Sequence, residues 1–152
     1  WSNYKITGTY VNSIVALQDA VAKGADEALI LDNDGYISEG SGENIFFLKD
    51  GLIMTPTTKN CLNGITRQSV IEIAKDLGHK VKEGDWSYEH ILECDEAFFT
   101  GTAVEVTPIT KIDEKIISNG TVGPITKEIQ ANYENAVLGT DNNSRNWLTY
   151  IE

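Results

Sequence analysis

Lys5 and Glu39 are residues whose types could act together in covalent chemistry. A lysine amine that is activated by burial and by nearby positive charge can form a Schiff base with a carbonyl compound. A carboxylate such as Glu39 can face the ring nitrogen of a cofactor and keep it protonated. Taken singly, each residue has a simpler interpretation, because Lys5 could be a solvated lysine and Glu39 a turn carboxylate in water.

Two turns rich in small residues could bind an anion. Residues 63–66 (NGIT) precede a strong helical pattern, where free backbone N–H groups and the helix dipole favour negative charge. Thr66 would add a hydroxyl donor, or it could serve only as the N-cap. Residues 101–103 (GTA) lie between two apolar segments and form either a second set of donors or an ordinary tight turn. The sequence therefore offers an amine, a carboxylate and two candidate oxyanion-binding turns.

The elements that must position these residues alternate between helices and short hairpins. Apolar residues at helical spacing predict helices over 10–23, 66–77, 87–93 and from 124 to about 139. Short apolar runs separated by glycine-containing turns predict strands over 28–32, 36–38, 44–48, 52–54, 96–99 and 104–107, with a further hairpin over 109–117. This order predicts an α+β domain.

Composition excludes several classes of partner. The chain has 152 residues, enough for one domain with a sizeable core, and a formal net charge of −11. A chain this acidic is not expected to bind nucleic acid or an anionic membrane. No apolar run approaches the roughly 20 residues of a membrane span. The two cysteines, Cys61 and Cys94, fit neither a metal site nor a disulfide scaffold, so we expect a cytoplasmic protein without a metal.

One spaced pattern resembles the signature of the class IV aminotransferases, the pyridoxal-phosphate enzymes of fold type IV. The matching residues are Glu39, Ser41, Asn44, Ile45, Phe46, Ile53, Thr55, Leu62, Gly64, Ile65 and Arg67. The stretches DEALILDNDGYISEGSGENIF and FFTGTAVEVTPI resemble the branched-chain amino acid aminotransferases in particular. The resemblance extends from Lys5 to about Leu138.

The resemblance implies a role for each matching residue. Lys5, in KITGTY, matches the catalytic lysine that forms the Schiff base with pyridoxal 5'-phosphate. Tyr10 matches the tyrosine that hydrogen-bonds the phenolic oxygen of the cofactor, although residues 8–10 read Gly-Thr-Tyr where the family usually has Gly-Asn-Tyr. Glu39 matches the acid that holds the ring nitrogen, and Leu62 the residue that packs on the ring face.

Phosphate and substrate contacts are implied in the same way. Ile65 and Thr66 match the phosphate binders at the helix start, and Thr102 matches a further phosphate contact. The backbone of Thr102 and Ala103 matches the site of the substrate carboxylate. Asn63 replaces a proline common in the family, which should loosen the turn without removing a donor.

The implied reaction is transamination of leucine, isoleucine or valine, with 2-oxoglutarate as the acceptor. The implied fold is the large C-terminal domain of fold type IV, a hairpin-rich sheet or pseudobarrel with flanking helices, in a homodimer or a larger homo-oligomer. We expect residues 1–152 to form this single domain, as a fragment that is inactive without the small N-terminal domain of the family.

Three alternatives remain at this stage. A D-amino acid aminotransferase and an aminodeoxychorismate lyase share the fold, but residues 41–44 and 101–106 favour the branched-chain enzymes. A non-catalytic binding or assembly domain would be expected to lack Lys5 or Glu39, and both are present. Glu43, close to Glu39, is expected to pair with a nearby cation.

Overall fold

The molecule is a mixed sheet flanked by helices, which confirms the predicted α+β class. The computed structural model describes residues 4–140, 147–149 and 151. The helices in these residues are α1 (Tyr10–Ala22), α2 (Ile65–Asp76), α3 (Tyr88–Leu92) and α4 (Pro124–Leu138). The strands are β1 (Ile30–Leu31), β2 (Ile37–Glu39), β3 (Asn44–Lys49), β4 (Leu52–Pro56), β5 (Lys80–Gly84), β6 (Glu96–Gly101), β7 (Glu105–Ile109), β8 (Lys111–Ile112) and β9 (Lys115–Ile116).

The main sheet has the strand order β5-β4-β3-β6-β7. Its pairs are antiparallel except β4–β5, which is parallel and is connected through α2. The pairs β1–β2 and β8–β9 form separate ribbons. Because β5 and β7 remain edges, the described strands form an open sheet and not the pseudobarrel that the resemblance allowed.

The edge strand β5 is absent from the sequence prediction. Its residues, KVKEG, include one apolar side chain, so they carry no alternating pattern. Charged residues on an edge strand discourage pairing with another chain. The strand exists because its backbone pairs with β4, a contact that local sequence does not encode.

Both faces of the central strands are buried, which explains their continuous apolar runs. On one face, Phe46 stacks on Phe98 with ring centroids 5.1 Å apart, and α2 and α4 cover the pair. On the other face, Phe47 meets the edge of Trp86. Alternate residues of β3 therefore belong to two separate cores.

Several strand ends converge at one end of the sheet. The start of β3 pairs with the end of β6 through Asn44 and Thr100, and the end of β6 pairs with the start of β7 through Gly101 and Glu105. Since β4 runs antiparallel to β3, its last residue, Pro56, reaches the same end, and the loop to α2 begins there. The turns that the sequence singled out are brought together by this register.

None of the described helices is both long and apolar enough to cross a membrane.

Candidate functional site

An open cavity of about 700 Å³ lies between the segment that leads into α1 and the segment that joins β2 to β3. Four of the predicted site residues line it: Lys5, Tyr10, Glu39 and Leu62. They come from parts of the chain that are distant in sequence. The volume falls in the range of known small-molecule sites, roughly 300–1,000 Å³.

Glu39 lies at the end of β2 and is half-buried. One of its carboxylate oxygens, Oε2, accepts a hydrogen bond from the Leu62 backbone N–H at 3.0 Å. Burial raises the pKa of Glu39, and the Leu62 N–H and the charge of Lys5 oppose that shift only in part. A positive charge on a bound ligand would offset the same desolvation, so the carboxylate is suited to a cationic group.

Lys5 and Tyr10 flank a short 3-10 turn, Thr7–Thr9, that leads into α1. The N–H and the Oγ1 hydroxyl of Thr9 both donate to the Ile6 carbonyl, at 3.0 and 2.7 Å. The threonine that stands in place of the family's usual asparagine therefore closes this turn. The turn sets the spacing between the Lys5 amine and the Tyr10 ring.

The loop before α2 is fixed at Leu62. Its N–H donates to Glu39, and its carbonyl accepts from Nδ2 of Asn44 at 2.7 Å. Gly64 approaches Asn44 so closely that an added Cβ would lie 2.3 Å from Oδ1 of Asn44. A glycine is needed at position 64 for this close approach, and it brings the start of α2 against the site.

The start of α2 differs in one respect from the sequence interpretation. Gly64 is the N-cap and makes no side-chain cap bond, while Thr66 lies inside the first turn and is buried. The alternative that Thr66 is only an N-cap is therefore wrong. Ile65 is 84% exposed. Neither residue lines the 700 Å³ cavity.

Thr102 and Ala103 are exposed in the turn between β6 and β7, at the same end of the sheet. They do not line the cavity either. The turn is adjacent to it, because a Cβ on Gly101 would lie 3.6 Å from Cγ of Glu43, which is a cavity residue. The structure thus brings four of the eight predicted residues into one cavity. The other four lie beside it, two in the first turn of α2 and two in the β6–β7 turn.

Sequence reasoning missed one contributor to this site, Glu27, and the partners of another, Arg67. Glu27 accepts hydrogen bonds from the backbone N–H groups of Ala28 and Ser41, at 2.6 and 3.1 Å, and no motif singles it out. Arg67, which is 2% exposed, anchors α2 by donating to the Pro56 carbonyl at 2.9 Å and to Glu83 at 2.5 Å. Arg67 matched the signature, but its partners could not be read from the sequence.

Comparison with known proteins assigns the family. A family model described as amino-transferase class IV matches residues 1–112. The chain belongs to the class IV aminotransferases. Among curated members of this family, it is 47% identical over 148 residues to the branched-chain-amino-acid aminotransferase of Pseudomonas aeruginosa, covering 97% of this chain and 48% of that protein.

Solved structures of this family share the fold. The branched-chain aminotransferase from Thermoproteus uzoniensis with norvaline superposes with a TM-score of 0.92 at 46% identity, over 97% of this chain and 49% of that one. The branched-chain amino acid aminotransferase from Thermobaculum terrenum in PLP-form gives a TM-score of 0.94 at 39% identity, over 97% and 49% of the two chains. This class IV chain spans about half the length of the relatives that it matches.

Proposed function

We propose that this chain supplies the cofactor-binding part of a pyridoxal-phosphate aminotransferase that acts on leucine, isoleucine and valine, with 2-oxoglutarate as the acceptor. The observation that carries the proposal is one cavity lined by Lys5, Tyr10, Glu39 and Leu62. Relatives named branched-chain-amino-acid aminotransferases support the substrate class over the D-amino acid and lyase alternatives. Since the relatives are about twice as long, the activity, the substrates and the assembly are proposed for the complete protein.

The residues present fit pyridoxal phosphate. An amine, a carboxylate, a phenol and an apolar side chain line a cavity of sufficient volume. The N-cap of α2 is Gly64, which has no side chain to occupy the N–H groups of the first turn, and uncapped N–H groups at a helix start favour an anion. When bound, the cofactor supplies an electron sink for the electrons left at the α-carbon of the substrate.

Lys5 is the proposed catalytic residue. Its amine would hold the cofactor and would move the α-proton of the substrate, first as general base and then as general acid. Tyr10 orients the cofactor through its hydroxyl group, and Leu62 packs against the ring face. The resemblance implies these roles, and the position of the three side chains around one cavity supports them.

Glu39 is proposed to hold a proton at the ring nitrogen. Its Oε2 is engaged by the Leu62 N–H, which fixes the direction of the carboxylate. Burial disfavours the ionised form of Glu39, so a cationic partner is strongly preferred there. A protonated ring nitrogen keeps the ring an effective electron acceptor.

The neighbouring turns are proposed to bind the anionic groups. Ile65 and Thr66 at the start of α2, together with Thr102, would hold the phosphate. The backbone of Thr102 and Ala103 would hold the substrate carboxylate. Both turns lie at the same end of the sheet as the cavity, which supports these roles. We also propose a homodimer or a larger homo-oligomer in the cytoplasm, with residues 1–152 as the large domain.

The test is spectroscopic. Addition of pyridoxal phosphate to the complete protein should give a visible absorption band that shifts when leucine, isoleucine or valine is added. Lys5→Ala should abolish turnover, because no other residue in the cavity offers an amine among those described. Retained turnover in Lys5→Ala would sink the assignment of the lysine, and a wild-type band that no branched-chain amino acid shifts would sink the substrate class.

A further inference from the structure

Glu43 is a second half-buried acid of the cavity, and the proposed reaction gives it no role. The sequence predicts a cation beside it, and the partners seen among the described residues are a backbone N–H and a second acid. Oε2 of Glu43 accepts a hydrogen bond from the Gly42 N–H at 3.0 Å, and the carboxyl group of Glu27 lies close enough to raise the pKa of Glu43. The carboxyl group of Glu27 is therefore a near neighbour of Glu43.

Two carboxyl groups can hydrogen-bond only when one of them carries a proton. Burial raises the pKa of Glu43, and the negative charges of Glu27 and Glu39 raise it further. The hydrogen bond from the Gly42 N–H acts in the opposite direction and lowers it in part. Glu27 already accepts two backbone N–H bonds, from Ala28 and Ser41. The raised pKa of Glu43 favours its protonated form, which can donate to a neighbouring carboxylate oxygen.

The pair holds a segment of the site. Glu27 binds the N–H of Ser41, Glu43 binds the N–H of Gly42, and the Gly40 N–H donates to the backbone carbonyl of Glu43 at 2.7 Å. Residues 40–42 follow Glu39 directly. The backbone that leads from Glu39 back into the sheet is thus fixed by two side chains.

Glu43 also packs against the second half of the site. A Cβ added to Gly40 would lie 2.9 Å from Oε2 of Glu43, and one added to Gly101 would lie 3.6 Å from its Cγ. Its side chain therefore fills the space between the 40–42 segment and the β6–β7 turn. That turn carries Thr102 and Ala103.

A metal site does not explain these acids. Within the described residues, no group of three histidine, cysteine, aspartate or glutamate side chains is placed to hold a metal ion. The titratable residues that line the cavity with Glu43 are Tyr4, Lys5, Tyr10 and Glu39. Glu27, from the segment before β1, is a neighbour of Glu43.

We propose that Glu43, through its hydrogen bond to the Gly42 N–H and its packing beside Glu27, Gly40 and Gly101, is a positioning residue that fixes the 40–42 segment against the β6–β7 turn. Glu39 on one side and the Thr102–Ala103 backbone on the other are thereby kept at a constant separation. This inference rests on the proposed function, in which these two groups address the cofactor and the substrate carboxylate.

The test compares Glu43→Gln with Glu43→Ala in the complete protein. The glutamine amide can accept from Gly42 and can donate to a neighbouring carboxylate oxygen, so Glu43→Gln keeps these contacts, whereas Glu43→Ala removes them. The matched control is Glu114→Ala, because the Glu114 side chain is 98% exposed in the β8–β9 turn.

The first measurement is amide hydrogen exchange of the cofactor-free protein. In Glu43→Ala, residues 40–42 and 101–103 should exchange about tenfold faster than in the wild type, while Glu43→Gln and Glu114→Ala match the wild type. Unchanged protection of β3 and β6 in the same data shows that the variant is folded. If Glu43→Ala does not fold, Glu27→Ala serves as the second variant, with faster exchange at residues 40–42 as the expected result.

The second measurement is steady-state kinetics of the cofactor-loaded protein. Glu43→Ala should raise KM for the amino acid about tenfold and change kcat less, because the carboxylate site shifts relative to the ring. The proposal is overturned if hydrogen exchange and KM in Glu43→Ala both match the wild type. It is also overturned if Glu43→Gln changes exchange and KM as much as Glu43→Ala does. A wild type without aminotransferase activity would instead refute the proposed function, and the exchange data would still decide the role of Glu43.

Discussion

At the scale of single residues, the site is built from acids in unlike surroundings. Glu39 is buried enough for its pKa to rise, but it lies beside the charge of Lys5 and accepts a backbone N–H. Glu43 lies near Glu27 and Glu39, and burial and these two acids raise its pKa against the hydrogen bond from the Gly42 N–H. Neighbouring glutamates thus favour opposite tasks, since one can face a cation and the other can hold a proton.

Replacing Glu39 by glutamine tests the first of these tasks. Glu39→Gln should keep the fold, because a glutamine oxygen can still accept from Leu62. It should lower kcat about 10- to 100-fold, the effect of losing a hydrogen bond to a charged group. The measurement is kcat of the complete protein with leucine, with Glu114→Gln as the control. An unchanged kcat would leave Glu39 as a structural acid.

The raised pKa of Glu43 makes stability depend on pH. A carboxyl group whose pKa is higher in the folded state contributes stability that is fully present below its ordinary value, 4.5, and is lost as the pH rises through the raised value. Glu43→Gln lacks this titration. The Tm of the cofactor-free wild type minus that of Glu43→Gln should therefore fall as the pH rises from about 4 to about 8. A constant difference over this range would contradict the protonated form of Glu43.

At the scale of elements, the site depends on the close contact between the start of α2 and the start of β3. The Leu62 carbonyl and the Asn44 amide form a 2.7 Å hydrogen bond, and Gly64 passes Asn44 without room for a side chain. The other end of the fold uses a comparable device, because the buried Glu96 accepts the Thr126 N–H at 2.8 Å and so caps α4 from another element. Both helix starts are fixed by residues from strands.

Gly64→Ala tests the contact between α2 and β3. The added methyl would displace Asn44, so the free energy of unfolding should fall by about 1–3 kcal/mol. Cofactor affinity should fall with it, because Asn44 holds Leu62. Denaturant unfolding and absorbance titration of the complete protein measure the two effects. Gly8→Ala is the control for stability, since its methyl meets nothing within 4 Å. Equal stability of the two variants would show that the contact between position 64 and Asn44 tolerates an added methyl group.

At the scale of the whole molecule, the cavity is bounded on one side by a weakly packed element. Helix α1 has no buried residue, and Val11, Ile14 and Val15 are all more than half exposed. The main sheet is open at β5 and β7. The chain spans about half the length of its relatives. One wall of the cavity is thus a helix that is largely exposed among the described residues.

Cofactor affinity should therefore differ between residues 1–152 alone and the complete protein. We expect residues 1–152 to be inactive without the small N-terminal domain of the family, and a charged contact to the phosphate from such a domain would strengthen binding. We expect the 152-residue chain to bind pyridoxal phosphate at least about tenfold more weakly. Absorbance titration of both proteins measures the ratio, and circular dichroism confirms that the shorter chain is folded. Equal affinities would contradict the expected contribution of a second domain.

Much of the architecture follows from local patterns. The periodicity of Val70, Ile73 and Ala74 predicts α2, and Gly139 in the left-handed conformation ends α4 where the sequence predicts. Paired apolar runs around Asp50 and Gly51 predict the β3–β4 hairpin. These elements were predictable because their burial and their turn chemistry are expressed within a few residues.

The remainder depends on contacts between distant segments. Lys5, Glu39 and the signature residues were identified from the sequence, because they carry chemistry in a recognisable order. Only the tertiary structure decided three features: the strand β5, the Gly64 cap, and the position of Glu27 beside Glu43. A charged edge strand, a close approach and a pair of neighbouring acids each arise when two remote backbones meet. A linear pattern records the types of residue in the chain, and the packed fold determines which of them become neighbours.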